Sequence, residues 1–361
     1  MCSRCGRTWE LASLLWRCDC GGLLDLVGPL ADPLAGTSGP PAGAYLDRYR
    51  AALPPGGASV DLGGVVTPAV ELSPGVWVKA DYEQPTGSFK DRGAAVMVGV
   101  AASLGVRSVL ADSSGNAGRA VAACAARAGL QCAVYLPAGT GPAKIAAIAG
   151  LGATVVEVPG GRSAAAAAAI GAASAPGAAF YASHVYQPAF HHGVKTLAFE
   201  LFEQVPGVED GTVVVPAGNG TLVLGLWLGF GELVAVGRAR RRPALVAVQA
   251  DRCAPLVGAD GPASGGGGPA GSATAAATAA AGIAIADPPR AAQIRGAALA
   301  SGGGVAAVTE EAIGSAVSDL RERGFPVEPT GAVAWAAVRS GQVGAARAGR
   351  GGPVVAVLTG R

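Results

Sequence analysis

Charged residues are scarce in this chain of 361 residues, and neither sign predominates. Asp, Glu, Lys and Arg make up 14% of the sequence, and 27 basic residues against 25 acidic ones leave a formal net charge of +2. A protein whose main partner is nucleic acid needs a basic surface to neutralise the phosphates. Aromatic residues, which stack on unpaired bases, are also few, at 5%. Both shortages exclude nucleic acid as the main partner.

The chain also lacks an uninterrupted apolar run long enough to span a membrane. Its longest apolar stretch, residues 213–237, is broken by Pro216, by Asn219 between two glycines and by Glu232, and basic clusters do not flank both ends. A buried strand, a glycine turn and an apolar helix explain this stretch better. The N-terminus has no charged-then-apolar signal region. We therefore expect a soluble, cytoplasmic protein with no membrane partner.

Half of the sequence is hydrophobic, which is enough for a sizeable core, and the length is typical of about two domains. Short apolar segments alternate with Ala-rich helical stretches, a pattern that predicts α/β architecture with parallel strands and helices on both faces. Strands are predicted at 76–79, within 106–112, and at 132–136, 154–158, 213–215, 245–249 and 354–358. Helices are predicted at 117–128, 143–149 and 163–173.

Two segments rich in small residues interrupt this alternation. Residues 28–60 contain many Pro, Gly and Ala residues and are predicted to form a connecting arm, with a short helix within 45–53. Residues 258–281, which include four consecutive glycines, are predicted to form a flexible surface insertion. An active-site lid is the alternative for this insertion.

Four of the seven cysteines fall within the first twenty residues. Cys2 and Cys5 form a C-x2-C pair and Cys18 and Cys20 a C-x-C pair, and each pair is followed by glycine. In a chain without a signal region, such pairs indicate a tetrahedral thiolate zinc site before they indicate disulfides. Residues 1–27 are therefore predicted to form a zinc-ribbon-like knuckle, with a degenerate remnant that binds no metal as the alternative.

The most informative segment is PTGSFKDRG, residues 85–93. Pro85 and Gly87 favour a turn, so Lys90 is predicted to lie at the start of a helix, beside the positive end of the backbone dipole. A partly buried lysine in that position has a lowered pKa and can act as a nucleophile that forms an imine. Taken alone, however, the segment favours a structural ion pair.

Two further segments place polar groups directly after a predicted strand. DSSGNAG, residues 112–118, opens a helix, so its amides and hydroxyls can meet an anion there, although an ordinary helix cap needs no function. PAGNGT, residues 216–221, repeats the order of strand, glycine turn and helix, and such a turn can bind a phosphate through backbone N–H groups.

Together and in this order, these segments resemble the pyridoxal-phosphate enzymes of fold type II, and among them threonine synthase and its paralogues. VEPTGA at 327–332 and VLTG at 357–360 extend the resemblance, which spans residues 67–360. It implies two parallel-sheet α/β domains with pyridoxal 5'-phosphate between them, a large domain of residues 61–103 and 187–361, and a small mobile domain of residues 104–186. It also implies a homodimer acting on a small amino-acid substrate.

The resemblance also implies a role for each polar segment. Lys90 is the catalytic residue and the lysine that binds the cofactor covalently. Asn116 bonds the phenolic oxygen of the cofactor, and Thr359 faces its pyridine nitrogen. The residues that bind the cofactor phosphate are Gly218, Asn219, Gly220 and Thr221. The substrate carboxylate is received by Ser113, Ser114 and Asn116. A neutral hydroxyl at the ring nitrogen favours elimination and replacement over transamination.

The sequence departs from threonine synthases in HVYQPAF, residues 184–190. Three positions that carry phosphate-binding Asn, Ser and Arg in those enzymes hold His184, Val185 and Phe190 here. We therefore expect O-phosphohomoserine to be a poor substrate, or to be held by other residues. Ala281 stands where relatives carry an acid. His184 is predicted either as a substrate contact or as a packed core histidine, and His191 and His192 are predicted on a helix surface.

These observations predict a lyase or synthase acting on an amino acid with a leaving group at the β- or γ-carbon, similar to threonine synthase. The alternative within enzymes is β-elimination or β-replacement, similar to serine/threonine dehydratase or cysteate synthase. A more distant alternative is an inactive zinc-ribbon binding protein on an α/β scaffold.

Overall fold

The computed structural model of the chain describes residues 1–28, 30–40, 42–258, 278–344 and 351–361. Most of the predicted insertion at 258–281 lies outside these described residues. The strands are β1 (Ala69–Ser73), β2 (Val76–Lys79), β3 (Ser108–Ala111), β4 (Gln131–Pro137), β5 (Thr154–Val158), β6 (Phe180–Tyr181), β7 (Thr212–Pro216), β8 (Ala244–Ala250), β9 (Gly304–Val308) and β10 (Val354–Val357).

The helices surround two sheets formed by these strands. They are α1 (Tyr45–Arg48), α2 (Lys90–Ser103), α3 (Asn116–Arg127), α4 (Pro142–Ala149), α5 (Arg162–Ala173), α6 (Pro188–Val194), α7 (Thr196–Gln204), α8 (Thr221–Ala235), α9 (Ala291–Ala300), α10 (Glu310–Glu322) and α11 (Pro329–Arg339).

The larger sheet has the strand order β1-β2-β10-β7-β8-β9, and the smaller sheet has the order β5-β4-β3-β6. All neighbours are parallel except β1 and β2, which form an antiparallel pair at the edge of the larger sheet. Within β7, Val213 and Val215 belong to one apolar core and Val214 to another. This alternation covers both faces of the larger sheet, as parallel sheets require.

The predicted strands and helices agree closely with the observed ones. The strands at 76–79 and 154–158 have the predicted bounds, and the long apolar stretch forms β7, a glycine turn and α8. The sequence patterns did not predict β1, β6 or β9. The predicted helix within 45–53 divides into α1 and a separate 3₁₀ turn at Arg50–Ala52. Among the described residues, no helix combines the length and apolar character that crossing a bilayer requires.

Helix α2 is the central helix of the main core. Every residue from Asp91 to Ala101 is buried, and α2 packs against α3 and α6. The contact with α6 is close because a Cβ atom at Gly93 would lie 2.4 Å from the ring of Phe190. Phe190 is fully buried. Its aromatic ring thus fills the space left by a missing side chain on the helix that begins with Lys90.

A buried ion network holds α2 against the larger sheet and α7. The guanidinium of Arg92 donates to both oxygens of Asp81, at 2.6 and 3.1 Å, and to Glu200, at 2.9 Å. Lys79 donates to the same carboxylate of Glu200 at 2.6 Å, and Thr67 bonds Asp81 at 2.9 Å. All four charged side chains are completely buried. Two cations and two anions therefore neutralise one another out of contact with bulk solvent.

The N-terminal residues pack onto the smaller sheet and α6. Trp16 makes edge-to-face contacts with Tyr181 and Tyr186, at centroid distances of 5.3 and 5.2 Å. The buried Arg290 guanidinium donates to the carbonyl of Leu24 and to the carboxylate of Asp25, both at 2.9 Å. The cysteine-bearing segment is thus anchored by aromatic contacts and by a buried cation.

The surface location predicted for His191 and His192 is wrong. Both are buried in α6, which lies between α2 and α8 and is covered by the N-terminal segment. A ring nitrogen of His192 lies 3.3 Å from the carbonyl oxygen of Leu26, and the other lies 3.1 Å from the amine of Lys195. Burial lowers the pKa of His192 to about 3, so this histidine stays neutral. The local pattern alone did not reveal that a distant segment covers this helix.

We predict that Glu200→Gln strongly destabilises the protein. The substitution removes one anion from the network and leaves the buried cations Lys79 and Arg92 undercompensated. Removing one partner of a buried ion pair lowers the free energy of unfolding by about 3–5 kcal/mol. Urea unfolding followed by circular dichroism measures this change. The matched control is Asp47→Asn, which disrupts the exposed Arg50–Asp47 pair and is expected to cost less than about 1 kcal/mol. Equal, small effects of both substitutions would contradict the prediction.

Candidate active site

A cavity of about 430 Å³ lies where the carboxyl ends of the two sheets face each other. Parallel α/β sheets bind ligands beyond the carboxyl ends of their strands, because the helix N-termini that follow point their N–H groups there. Ser113–Asn116 follow β3, and His184 follows β6. From the larger sheet, the turn at 218–220 follows β7 and Thr359 follows β10.

Lys90 is the first residue of α2 and lines this cavity. Its amine lies 3.4 Å from the hydroxyl of Thr221 and 4.0 Å from the centre of the Phe89 ring. Burial lowers the pKa of Lys90 to about 7, and the nearby Arg162 lowers it further while Glu328 opposes the shift. A large fraction of the amine is therefore neutral near pH 7, and a neutral amine is the nucleophilic form.

The turn at 218–220 presents backbone donors to the cavity. Gly220 is the N-cap of α8 and has a φ of +69°, a conformation that favours glycine. Among the described residues, the N–H groups of Gly218, Asn219 and Gly220 have no protein acceptor. Unpaired N–H groups at a helix N-terminus form a binding site for a phosphate, with Thr221 adding a hydroxyl. The donor set thus fits the phosphate of pyridoxal phosphate.

Ser113, Ser114 and Asn116 lie on the opposite side of the cavity, at the start of α3. The hydroxyl oxygen of Ser113 accepts from the N–H of Gly115 at 3.3 Å, which shapes the turn. The amide of Asn116 donates to the carboxylate of Glu328 at 2.9 Å. Hydroxyls and amides at a helix N-terminus suit a carboxylate ligand.

The C-terminal residues complete the wall beside Lys90. The carbonyl of Thr359 accepts from the N–H of Phe89 at 3.1 Å, and the carbonyl of Gly360 accepts from the N–H of Glu328 at 3.0 Å. These backbone bonds hold the residue before Lys90, the end of the chain and the start of α11 in one arrangement. The side chain of Thr359 lines the cavity.

His184 lies at the junction of the two sheets. A ring nitrogen is 3.2 Å from the side-chain amide of Asn219, and the ring contacts Phe190 at a centroid distance of 6.0 Å. Burial holds the pKa of His184 well below its usual value, and Lys90 and Arg162 lower it further. His184 is therefore both a packed histidine and part of the cavity wall, and it is neutral at physiological pH.

The structure brings every predicted cofactor and substrate residue to this one cavity. They are Lys90, Ser113, Ser114, Asn116, His184, Gly218, Asn219, Gly220, Thr221 and Thr359. Their individual roles stay predictions. Ala281 also lines the cavity, whereas Val185 and Phe190 do not. The sequence comparison with threonine synthases therefore identified a segment beside the cavity, of which His184 alone reaches it.

Sequence reasoning missed five charged residues of the cavity wall: Glu328, Arg119, Lys144, Arg162 and Arg361. Arg162 and Lys144 lie on helices that directly follow β5 and β4, and this position after a parallel strand was the available signal. Glu328 precedes Pro329 at the start of α11. Burial raises the pKa of Glu328, and its hydrogen bond from Asn116 opposes this shift.

The four N-terminal cysteines form a separate cluster. All four sulfur atoms lie within 4.8 Å of one another, with Cys2 and Cys20 at 3.5 Å and Cys5 and Cys18 at 3.8 Å. The backbone N–H of Cys5 lowers the pKa of Cys2 to about 6. Four sulfurs gathered this closely are compatible with binding of a single metal ion.

Comparison with known proteins agrees with this geometry. A family model described as pyridoxal-phosphate dependent enzyme matches residues 60–360. The threonine synthase of Methanocaldococcus jannaschii is 32% identical over 353 residues, which are 94% of this chain and 86% of that protein. The threonine synthase of Methanosarcina acetivorans is 30% identical over 372 residues, which are 99% of this chain and 90% of that protein.

Solved structures share the fold. A fungal L-serine ammonia-lyase from Rhizomucor miehei has a TM-score of 0.67 at 19% identity, covering 82% of this chain and 94% of its own. Maize serine racemase has a TM-score of 0.65 at 20% identity, covering 82% and 88%. These matches confirm the predicted fold type II architecture and the resemblance to threonine synthases. The chain belongs to the family of pyridoxal-phosphate-dependent enzymes.

Proposed function

We propose that this protein is a lyase of the threonine synthase kind, acting on an amino acid that carries a leaving group at its β- or γ-carbon. One observation carries the proposal: an amine with a lowered pKa, a turn of unpaired N–H groups and a polar helix start all face one cavity. These are the three groups that a pyridoxal-phosphate enzyme needs for the cofactor aldehyde, the cofactor phosphate and the substrate carboxylate.

The cofactor would be held by residues from both sheets. Lys90 would bind it covalently, and its phosphate would accept from the N–H groups of residues 218–221. Asn116 would bond its phenolic oxygen and Thr359 would face its ring nitrogen, as the resemblance implies. When bound, pyridoxal phosphate supplies an electron sink for negative charge at the α-carbon of the substrate.

Lys90 is also the group that moves a proton. Once the amino group of the substrate has displaced it from the cofactor, its free amine would take the proton from the α-carbon, because a pKa of about 7 leaves the neutral form available as a base. Ser113, Ser114 and Asn116 hold the α-carboxylate and so orient the bond that breaks. His184 is neutral and bonded to Asn219, so we assign it to shaping the substrate side of the cavity.

A second candidate is β-elimination from serine or threonine, as in a dehydratase. Phe190 favours it, since this residue is apolar and buried where the resemblance to threonine synthases expects a phosphate-binding arginine. The two candidates share the cofactor and Lys90, and they differ in the leaving group.

We further propose that Cys2, Cys5, Cys18 and Cys20 bind one structural zinc ion. The convergence of four sulfurs supports this site, because unpaired thiols gain little from such close approach. Homodimerisation and the domain bounds at 61–103, 104–186 and 187–361 stay predictions.

The first test concerns Lys90. The purified protein is expected to absorb at about 410–420 nm. Borohydride should remove this band and leave the cofactor attached to a peptide containing Lys90. Lys90→Ala should abolish turnover and the covalent attachment. Arg107→Gln, on an exposed residue at the opposite end of β3 from the cavity, is the control and should retain both. A colourless wild-type protein that does not take up the cofactor would contradict the proposal.

The reaction is tested by product analysis. The holoenzyme is incubated separately with O-phosphohomoserine, O-phosphoserine, threonine and serine. Phosphate, 2-oxo acids and newly formed amino acids are measured, and kcat/KM is determined for each substrate. Threonine with phosphate from O-phosphohomoserine identifies a threonine synthase, and a 2-oxo acid from serine or threonine identifies a dehydratase. No product from any of the four would refute the proposed function.

The zinc site is tested by elemental analysis, which should find about one zinc per chain. Cys5→Ser combined with Cys18→Ser should lose the metal and loosen the N-terminal segment, while the visible cofactor band survives. Cys253→Ser, at a buried cysteine outside the cluster, is the control and should keep the zinc. A metal-free wild-type protein whose thermal stability is unaffected by chelators counts against the site.

A further inference from the structure

Arg290 is a deeply buried cation that takes no part in the proposed chemistry. It directly precedes α9, its side chain is 1% exposed, and it is not one of the described residues that line the cavity. Its guanidinium donates to the carbonyl of Val185 at 2.8 Å, and to the carbonyl of Leu24 and the carboxylate of Asp25, both at 2.9 Å. Burying a cation is costly unless its N–H groups are bonded. These bonds therefore hold the start of α9, the segment after β6 and the N-terminal residues in one arrangement.

The bond to Val185 constrains the neighbouring residue, His184, which does line the cavity. The side-chain amide nitrogen of Asn219 lies 3.2 Å from Nε2 of His184. Because an amide nitrogen only donates, Nε2 is the acceptor of this bond. His184 follows a strand of the smaller sheet and Asn219 follows a strand of the larger one. Their bond therefore joins the two sheets at the wall of the cavity.

Helix α9 also supports the other partner of this bond. Ile294 lies one helical turn after Arg290, and its N–H donates to the carbonyl of Arg290 at 2.9 Å. Residues four apart on a helix share a face. Ile294 is fully buried, and a Cβ atom at Gly220 would lie 2.2 Å from its side chain. One face thus supports His184 through Arg290 and the turn at 218–220 through Ile294.

Arg48 provides a structural comparison for this arrangement. Its side chain is 9% exposed, and its Nε donates to the carboxylate of Glu203 at 3.0 Å, which ties residues 45–48 to α7. Neither Arg48 nor Glu203 is among the described residues that line the cavity. Arg290 is similarly buried and similarly bonded, but one of its acceptors is the chain neighbour of a cavity residue. The two arginines therefore separate a tether from a group that also orients the site.

We propose that Arg290 is a positioning residue of the active site, which holds His184 against Asn219 and so fixes the substrate side of the cavity relative to the turn at 218–220. The inference rests on the proposed function for the role of His184 toward a substrate, whereas the contacts of Arg290 are independent of it. Leu24 and Asp25 take part in the same arrangement, because they accept from the side of the guanidinium that faces away from Val185.

The first measurement is hydrogen exchange of the full-length protein, followed by mass spectrometry. In Arg290→Gln, peptides covering 184–190 and 217–221 should exchange about tenfold faster than in the wild type, as expected for the loss of a hydrogen bond from a charged donor. Peptides of α2 should change less than about twofold. Arg290→Lys, with three donors in place of five, should be intermediate. Arg48→Gln is the matched control and should leave 184–190 and 217–221 unchanged.

The second measurement is a double-mutant cycle of Arg290→Gln with His184→Ala. The kcat/KM is measured for whichever of the four amino acids tested above the wild type turns over. Each substitution alone should lower it about 10- to 100-fold, because a displacement of about 1 Å can cost about 100-fold. With His184→Ala already present, Arg290→Gln should cost less than about twofold more, since both act through one group.

The same cycle is measured by titrating each apoprotein with pyridoxal phosphate. Each single substitution should weaken cofactor affinity by up to about tenfold, the value of one hydrogen bond between neutral groups. The double variant should again resemble His184→Ala. This titration does not depend on turnover. If no amino acid is a substrate, the lyase function fails, while the exchange rates and the cofactor affinities still decide the role of Arg290.

Two outcomes would overturn the inference. One is a product of the two single losses in the double variant, which indicates that Arg290 acts independently of His184. The other is faster exchange in Arg290→Gln that is as large in α2 as in 184–190 and 217–221, which indicates a general role in stability. If Arg290→Gln does not fold, Asp25→Asn replaces it. Asp25 is 39% exposed, and its loss of charge weakens the same guanidinium. The same local pattern is then expected, and its absence would overturn the inference.

Discussion

The buried network of Lys79, Asp81, Arg92 and Glu200 is the constraint on which the site depends. Arg92 lies two residues after Lys90, so whatever fixes its guanidinium also fixes the start of α2. Burying four charges costs several kcal/mol for each ion, and good geometry must offset this cost. The bonds from Arg92 to both oxygens of Asp81 and to Glu200 meet that requirement. A shifted α2 would leave charges unpaired, so the network allows little variation in the position of Lys90.

The sequence predicted the parts of the site that depend on local order. A glycine turn after an apolar strand predicted the turn at 218–220 as a phosphate-binding site. A run of polar residues before a helix predicted Ser113–Asn116 as a site for an anion. Both conclusions need only a few neighbouring residues and the rule that ligands bind at the carboxyl ends of parallel strands. The segment around Lys90 by itself favoured a structural ion pair over a nucleophile. The family resemblance, which depends on the order of all the segments, favoured the nucleophile.

What the sequence did not predict depends on contacts between distant segments. His191 and His192 have the neighbours of an ordinary helix, yet residues 24–26 and α8 cover them. The sequence showed that Phe190 stands where threonine synthases carry an arginine. It did not show that the Phe190 ring is buried against Gly93, which lies on a helix nearly one hundred residues earlier. Arg162 and Lys144 reach the cavity because β4 and β5 end side by side. The local sequence around either strand does not show which other strand it will pair with.

A continuous chain of contacts links the N-terminal segment to the wall of the cavity. Arg290 donates to Leu24 and Asp25 on one side and to the carbonyl of Val185 on the other, at 2.8 Å. His184 adjoins Val185 and contacts Asn219 in the turn at 218–220. A change in 184–190 must therefore preserve packing against both the cysteine-bearing segment and α2. Lys144 and Arg162 are exposed at the mouth of the cavity, so substitutions at these two positions are free of that packing constraint.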